Sequence, residues 1–439
     1  MKLRVPLALA TLALVAPGSL LAAAGTTLGE GSRDASLARS SSARTGEVAS
    51  FYSNPATLTD LARPTLGLMT QLAYLRHSWA RYGEQSEDHS RWLTGVGLAV
   101  ATPLPGPLWL REHMSLGLAL HLPGRELLSV RVPERADAPG WLFYDNRADH
   151  LAFASALGLR LLEGLRLGLG FSLVPTLATP TEVSYVAERG GTAEENVEVR
   201  LDRELRLDTA PFIGLRWEPA SGFALAVTYH TAQVARAAGN QRTLAPPLLA
   251  DDPIDYHIVY NPATLTLGSA FELSSKSSLS MDLAFARWSE LVDARGEARE
   301  PPLADTLAPR VGFEHHLIEG ARLRAGAAYE PSPVREQVAV SNTLDADRFV
   351  VATGAGFTLF PQSFPMVLDL HLRAHLGLAQ FARKRNADLP DADPVAPGKQ
   401  ITNLGYPGFR ARTQVWQLGW TWSFFLDAPP TYDSKGGSS

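Results

Sequence analysis

Large apolar residues alternate with small or polar residues along many stretches of this sequence. In residues 92–102, tryptophan, valine and leucine occupy most even positions, and glycine and alanine occupy most odd ones. Residues 114–122 repeat the pattern, with methionine and leucine at the even positions. Successive side chains of a β-strand point to opposite faces, so a period of two residues predicts strands with one apolar face. The chain is therefore predicted to be all-β.

The pattern recurs about fourteen times, each time near the 9–11 residues that a tilted membrane strand needs. The predicted strands are 66–76, 92–102, 114–122, 151–161, 167–177, 205–217, 223–229, 265–271, 279–288, 311–315, 323–329, 349–357, 368–375 and 415–425.

Alternation by itself does not distinguish a soluble β-sandwich from a membrane barrel. In 368–375 one face is leucine, and the other carries Asp369, His371, Arg373 and His375. A sandwich would bury the apolar face, whereas a barrel would turn it to lipid and the charged face to a wet lumen.

The connections between the predicted strands favour the barrel because short and long ones alternate. The short connections are 103–111, 162–165, 218–222, 274–278, 317–321 and 358–365. The long ones are 77–91, 121–149, 178–204, 230–263, 289–310, 330–348 and 376–410. Tight turns at one end and long loops at the other are typical of outer-membrane barrels.

Aromatic residues near strand ends or on apparent lipid faces agree with this prediction, since such rings favour the membrane interface. These residues are Trp92, Tyr144, Tyr229, Trp288, Trp416, Trp420 and Trp422.

The first residues predict export. Lys2 and Arg4 precede an apolar run at 5–16, and three alanines stand just before Gly25. This is the layout of a signal peptide, predicted at 1–24, and the run is too short for a spanning helix. The chain has no cysteine, and its net charge of −5 gives no reason to expect nucleic acid as a partner.

A segment without alternation, residues 25–63, separates this leader from the first strand. Asn54 can cap a short helix that begins with Pro55, whose missing N–H costs nothing at that position. A barrel of about fourteen strands is too wide for its wall side chains to fill, so this segment is predicted to plug it. The alternative is a disordered periplasmic tail. The predicted organisation is leader 1–24, hatch 25–63, barrel 64–426 and tail 427–439.

Residues 48–58, which contain Asn54, Pro55 and Ala56, resemble the hatch motif of the FadL-type outer-membrane transporters of long-chain fatty acids and aromatic hydrocarbons. Thr57 stands where that family more often has glycine or alanine. The resemblance continues through 281–290, which contains Trp288, and through 309–314 and 323–334. It ends with the family's Asp-x-Asp-Arg motif at Asp345, Asp347 and Arg348. One departure is the tail after Phe425, since outer-membrane barrels commonly end on an aromatic residue.

The resemblance implies a fourteen-stranded, monomeric barrel in the bacterial outer membrane that passively transports hydrophobic small molecules. Its expected partners are the hydrophobic ligand, the lipid bilayer and the outer-membrane assembly machinery, and no cofactor is expected. The alternative is a general porin, or a structural or adhesive barrel.

Candidate catalytic and metal sites are weak. A serine and a histidine are adjacent at 77–78 and again at 89–90, but neighbouring strand residues face opposite sides and no Gly-x-Ser-x-Gly elbow occurs. His371 and His375 would be about 13 Å apart on a strand, too far to bind one ion. We therefore predict neither catalysis nor a metal.

Two long connections are unusually apolar and are predicted to capture ligand, although loop-on-loop packing would explain them equally well. The candidate capture residues are Leu127, Trp141, Phe143, Tyr144, Leu248, Tyr256 and Tyr260. The cluster of Asp345, Asp347 and Arg348 could bind a polar ligand, but a salt-bridged turn that holds a long loop at the barrel rim is the favoured interpretation.

Overall fold

A computed structural model describes most of the chain. The described residues are 31–44, 47–61, 63–81, 87–124, 151–178, 181–185, 197–201, 204–245, 248–292, 303–334, 345–361, 364–383 and 408–426.

Fourteen strands pair in an antiparallel ring that closes between the first and the last of them. These strands are β1 (Thr65–Arg81), β2 (Glu87–Pro103), β3 (Met114–Pro123), β4 (Ala152–Leu162), β5 (Leu165–Ala178), β8 (Glu204–Ala220), β9 (Phe223–His230), β12 (Thr264–Ser274), β13 (Ser277–Ala286), β14 (Thr306–Ile318), β15 (Ala321–Glu330), β16 (Arg348–Leu359), β17 (Met366–Gly377) and β19 (Gly408–Phe425). Each corresponds to one predicted strand, so the predicted all-β barrel is confirmed.

Five further strands lie within connections that the alternation pattern predicts to be loops. They are β6 (Thr181–Tyr185), β7 (Val197–Leu201), β10 (Gln233–Ala245), β11 (Leu248–Asn261) and β18 (Gln380–Arg383). The connection 230–263 is thus a long hairpin, β10–β11, and its prediction as a loop is wrong. Its two halves pair mainly with each other, and β10 also makes short parallel pairings with β5 and β6. The hairpin is not one of the fourteen strands of the antiparallel ring, so its residues do not need one lipid-facing side.

Tight turns join the strands at one end, which we call the turn side, and the opposite end is the loop side. Gly164 and Gly320 occupy these turns with φ of 77° and 78°, a conformation that residues with a Cβ rarely adopt. The pairing register shifts by one residue beside each of them, which makes a bulge at the strand ends. The turn between β2 and β3 is longer and contains the short helix α2 (Leu108–His113).

The side chains show which face of the wall meets lipid. Large apolar residues point outward and are exposed, including Trp92 at 51% and Trp416 at 45%. Buried, inward-facing positions hold small or polar residues such as Ala154, Gln417 and Asp369. This orientation is the reverse of a soluble protein's and is typical of a barrel in a membrane.

Trp288 is an exception to the predicted aromatic belt. Strand β13 ends at Ala286, and Trp288 begins a short 3-10 turn in which its side chain is only 7% exposed. It packs against Tyr260, with ring centroids 5.9 Å apart, and not against lipid. The prediction for Trp288 is wrong because the strand stops before it, and strand periodicity no longer decides where its side chain points.

Two helical turns precede the first strand: α1 (Ser32–Ser36) and a 3-10 helix (Pro55–Asp60). Among the described residues, no helix is long and apolar enough to cross a membrane. Residues 31–44 and 47–61, which we call the N-terminal segment, are mostly buried and contact strands around the whole ring. The space that these strands enclose is therefore occupied on the turn side.

Candidate functional site

Asn54 organises the second half of the N-terminal segment. Its side-chain Oδ1 accepts a hydrogen bond from the Ala56 backbone N–H at 3.0 Å, which caps the 3-10 helix that starts at Pro55. Its Nδ2 donates to the carbonyl oxygen of Ser42 at 2.8 Å and to that of Leu215, on the wall, at 3.3 Å. One fully buried amide thus joins the helix, the first half of the segment and the wall.

One side of the N-terminal segment makes apolar contacts with the wall. Val48, Phe51 and Leu58 are buried against β1 to β4 and β8. The wall offers them mainly alanine side chains and glycines, so the segment can approach the strands closely. The wall residues in this contact are Met69, Ala99, Ala101, Ala119, Ala152, Ala154, Ala156 and Phe212.

Glycines mark the places where the N-terminal segment touches the wall. At Gly168 a Cβ atom would overlap the backbone of Pro55 and Ala56, and at Gly214 it would overlap the Asn54 side chain. The small residues of the alternation pattern therefore have a second role besides strand pairing: they make room for the N-terminal segment inside the barrel.

An ionic cluster attaches the opposite side of the segment. Glu314, on β14 and 2% exposed, is bonded by Arg33 at 2.9 Å and Arg44 at 2.8 Å, both from the N-terminal segment. It is also bonded by Arg324 of β15 at 2.5 Å, and Arg324 in turn contacts Asp369 of β17 at 2.5 Å. Removing one partner from a buried ion pair of this kind is strongly destabilising, because the remaining charge stays out of water.

Further polar contacts hold the segment at other points of the ring. Asp282 of β13 accepts hydrogen bonds from the backbone N–H of Ser42 at 3.1 Å and from its hydroxyl at 2.9 Å. Asp60 pairs with Arg166 of β5 at 2.5 Å, and Arg216 of β8 donates to the Ala43 carbonyl oxygen at 2.9 Å. The segment is thus attached on several sides and not at one hinge.

Glu47 is a buried acid of the segment that lies close to a second buried acid, Asp34. Its Oε2 accepts a hydrogen bond from the Asp34 backbone N–H at 3.3 Å. Burial, together with the nearby Asp34 carboxylate, raises the pKa of Glu47 well above its usual range. Burial thus favours the protonated, neutral form of Glu47.

Two cavities flank the N-terminal segment. The first, about 190 Å³, lies on its loop side, and the second, about 350 Å³, lies on its turn side. Ser42 lines the first cavity, whereas Ala43 and Arg44 line the second. Only a short stretch of the segment separates the two spaces here.

The loop-side cavity is bounded by many polar and charged groups. The ionisable residues in its lining are Arg39, His230, Asp282, Arg310, Glu330, Asp345, Arg348, Arg373 and His375. Most of these side chains have hydrogen-bond or ion-pair partners inside the protein; Arg373, for example, donates a hydrogen bond to Gln417 at 2.9 Å. The strand alternation predicts that His371 and His375 share one polar face, and in the structure both side chains are buried. In the described part of the chain, no group of acidic or histidine side chains could hold a metal ion.

An apolar cluster lies on the inner face of the wall near the loop side. Leu75 of β1, Leu93 of β2 and Val415 of β19 are lumen-facing and buried, where a water-filled channel would have polar groups. Connections between strands complete the cluster from the other side. The members of this apolar cluster are Ala73, Leu75, Leu93, Tyr260, Trp288, Leu291, Leu303, Val334, Phe409, Ala411 and Val415.

Asp345, Asp347 and Arg348 form a hydrogen-bonded junction where β16 begins. Asp347 accepts from the Ser332 backbone N–H at 2.7 Å, and Asp345 accepts from the Ser332 hydroxyl at 3.0 Å. Arg348 bonds Glu330 at 2.7 Å and Asp345 at 3.2 Å. These contacts fasten the start of the connection after β15 to the end of the same connection, although Asp345 and Arg348 also border the loop-side cavity.

Of the other predicted site residues, the structure describes some and leaves others outside its described part. Asn54, Pro55 and Ala56 lie in the N-terminal segment as described, and Tyr260 is buried beside Trp288. Leu248 and Tyr256 belong to β11, but their side chains are outside the described part of the chain. Leu127, Trp141, Phe143 and Tyr144 lie outside the described residues altogether.

Sequence reasoning missed the ionic cluster around Glu314. The available signal was a charged residue at an inward position in the middle of an otherwise apolar strand, which Glu314, Arg324 and Asp369 all show. Arg33 and Arg44, the partners of Glu314, are 281 and 270 residues away from it along the chain, and no local pattern connects them.

A closed ring of fourteen antiparallel strands with an apolar outer wall and a filled lumen defines an outer-membrane barrel. Residues 145–369, more than half of the chain, match the family described as "Outer membrane protein transport protein (OMPP1/FadL/TodX)". The chain belongs to this family, and we place it in the bacterial outer membrane.

Individual relatives agree with the family. The chain is 24% identical over 380 residues to the alkane uptake protein A of Marinobacter nauticus, covering 79% of this chain and 82% of that protein. A FadL homologue of Pseudomonas aeruginosa has a similar fold, with a TM-score of 0.61, 15% identity and coverage of 93% and 100% of the two chains. The toluene transporter TodX of P. putida gives a TM-score of 0.58, 13% identity and coverage of 92% and 100%. At these identities, the solved structures are evidence for the fold.

Proposed function

We propose that this protein carries hydrophobic small molecules, such as alkanes, aromatic hydrocarbons or long-chain fatty acids, passively across the outer membrane. The observation that carries the proposal is the buried apolar cluster around Leu75, Leu93 and Val415 on the inner face of the barrel wall. An apolar molecule can leave water there, whereas the lumen of a general porin is polar throughout. The alkane uptake and toluene transport of similar proteins support the same class of cargo. No catalytic role is proposed, because the family consists of transport proteins.

Inward-facing arginines suggest that the cargo can include molecules with a carboxylate group. Arg310, Arg348 and Arg373 border the loop-side cavity, and a fatty acid carboxylate entering a low-dielectric space needs such a cationic partner. Uptake of an alkane, of toluene and of a long-chain fatty acid should therefore be compared in cells that lack other transporters of this kind. If expression of the protein accelerates none of the three and the barrel is assembled, the proposed function is wrong.

The N-terminal segment is the proposed hatch of this channel. Its attachments to β13, β14 and β8 separate the loop-side cavity from the turn-side cavity, so cargo that leaves towards the periplasm has to displace it. A barrel that takes up cargo without moving the segment would need an exit through its wall. The assembly machinery of the outer membrane is a further proposed partner, as expected for any barrel of this type.

Locking the N-terminal segment to the wall should reduce uptake. The hydroxyls of Ser40, in the segment, and Ser280, on β13, are 3.1 Å apart, and the chain contains no cysteine of its own. In the variant S40C/S280C, oxidation is expected to form a disulfide and to slow uptake several-fold, and reduction should restore it. Uptake of labelled alkane by cells under the two redox conditions measures this.

The matched control is a disulfide that does not involve the wall. Ser50 and Thr57 both belong to the N-terminal segment, with their hydroxyls 3.3 Å apart, so S50C/T57C cross-links the segment only to itself. Oxidation of this control should leave uptake close to normal. Undiminished uptake by a fully oxidised S40C/S280C variant would show that the segment does not need to leave β13 and would favour an exit through the wall.

The apolar residues of the connection between β3 and β4 are proposed to capture cargo on the loop side. The substitution W141S/F143S/Y144S removes three aromatic rings that an apolar molecule could contact. We expect slower uptake at low cargo concentration, with normal barrel assembly, because loops contribute little to the strand ladder. Assembly is checked by heat-dependent mobility in gels, and Trp109→Ser on the turn side serves as a control. Unchanged uptake by the assembled triple variant would favour simple loop packing.

A further inference from the structure

Three neighbouring strands of the barrel, β19, β1 and β2, are longer than the strands on either side of them. They have 18, 17 and 17 residues, whereas the strands on either side of them, β17 and β3, have 12 and 10. On the loop side, β19 continues past its last pair with β17, at Gln414, and β2 continues past its last pair with β3, at Gly95. The short strand β18 pairs with the additional residues of β19. This part of the wall therefore presents an outer face above the ends of β17 and β3.

An aromatic row crosses these three strands and marks the outer limit of their lipid-facing band. Tyr74 of β1 pairs with Trp92 on one side and with Trp416 on the other, and the Tyr74 and Trp92 rings are 4.8 Å apart. From Leu66, the first outward residue of β1, to Tyr74 the strand runs about 26 Å along its own axis, which at a tilt of about 40° is a height of about 20 Å. The apolar band of such barrels is about 25 Å tall and is bordered by aromatic girdles, and a row of three adjacent aromatic rings near this height corresponds to the girdle at the outer membrane interface.

Arginines occupy the outward positions immediately beyond the aromatic row. Arg76 is the next outward residue of β1, and Arg412 and Arg410 of β19 pair with Ser78 and Ala80. All three arginines are exposed. Diagonal neighbours on adjacent strands are about 7 to 8 Å apart, and outward residues two positions apart on one strand are about 7 Å apart. We call these three residues the arginine patch.

We propose that the arginine patch binds the phosphate groups of an anionic lipid in the outer leaflet. Its level is that of the lipid headgroups, directly above rings that contact the acyl region, so one lipid can touch both. Guanidinium groups bind phosphate through paired N–H donors. Three of them within reach of one headgroup outweigh the charge of Asp88, which the register places opposite Ser78. Arg76 and Arg410 also have interactions inside the protein, but a guanidinium has five donors and can bind more than one partner.

The test uses the purified full-length protein in nanodiscs of phosphatidylcholine, with or without a minor fraction of lipid A as the phosphate-bearing lipid. Native mass spectrometry then measures how much lipid A stays with the barrel after release from the disc. The intact protein is expected to retain lipid A in preference to phosphatidylcholine. The variant R76Q/R410Q/R412Q should retain at least tenfold less, since each arginine near a charged lipid surface contributes about a fivefold factor. Retention should also fall as salt is raised.

The matched control, R111Q/K276Q/R287Q, removes the same number of positive charges from exposed sites elsewhere on the protein and should retain lipid A normally. R76K/R410K/R412K keeps the charge and should retain part of the binding. Equal retention by the patch variant and the control variant would overturn the proposal. So would displacement of lipid A by an equal concentration of inorganic phosphate, because the patch would then be a site for the free ion. The readout is independent of cargo uptake, so the proposal can fail while the proposed transport function holds.

Discussion

Removing residues 25–63 while keeping the leader should convert the protein from a poorly conducting barrel into one with a large, steady ion conductance. Small barrels of about eight strands are filled by their own side chains, whereas those of about sixteen to eighteen leave an aqueous channel. With fourteen strands, the ring has a lumen that its mostly alanine and glycine inner face does not fill on the turn side. The N-terminal segment is what occupies that space. Recordings from planar bilayers of the intact and the shortened protein measure the difference.

Assembly of the shortened protein has to be checked first, because the ring loses the internal contacts of Phe51 and Leu58. If it does not assemble, N54A/P55A provides a milder test. Loss of the Asn54 cap costs about 1 kcal/mol and removes two bonds to carbonyl groups, so this variant should open intermittently. An assembled, shortened barrel that conducts no more than the intact protein would show that the segment is not a plug.

Glu314→Gln is expected to release the N-terminal segment more effectively than any other single substitution in it or around it. The amide keeps the shape of the glutamate but removes the carboxylate that bonds Arg33, Arg44 and Arg324 together. Leaving buried cations without their partner costs about 3 to 5 kcal/mol. The contacts of Asp60 and the apolar side of the segment remain, so openings should be frequent but transient.

Two measurements check this expectation: bilayer conductance, and cleavage by trypsin after Arg33 or Arg44, both of which are shielded in the intact protein. Glu47→Gln is the matched control, because it also replaces a buried glutamate near the same arginines. Among the described residues, Glu47 does not pair with Arg33, Arg44 or Arg324 in the ionic cluster around Glu314, and burial raises its pKa and so favours its neutral form, so the neutral amide should leave conductance and trypsin resistance nearly unchanged. Equal behaviour of the two variants would mean that the ionic cluster does not hold the segment in place.

Much of the barrel follows from local features of the sequence. A strand has a period of two residues whatever surrounds it, so stretches such as 92–102 and 114–122 indicate both the strand and its lipid-facing side. The Asn54–Pro55 pair likewise predicts a helix start within a few residues, and the structure has a capped 3-10 helix at that position. The family resemblance of Asp345, Asp347 and Arg348 is equally local, since these residues are neighbours in the chain.

Features that depend on contacts between residues far apart in the chain could not be predicted in the same way. Trp288 looks like a belt residue because it follows an alternating strand, yet it turns inward once β13 has ended at Ala286. The connection 230–263 has no lipid-facing period and was predicted as a loop, but its two halves pair with each other as β10 and β11.

The sequence by itself therefore determined the ring: the number of strands, their lipid-facing sides and the end of the barrel at which each connection lies. Only the tertiary structure decided the interior. It brought Arg33 and Arg44 to Glu314, Asp60 to Arg166, and Pro55 against Gly168. The physical reason is that strand geometry repeats along the chain and leaves a periodic trace in it, whereas a charge or a glycine inside the lumen is specified by a partner from a remote part of the chain, for which no period exists.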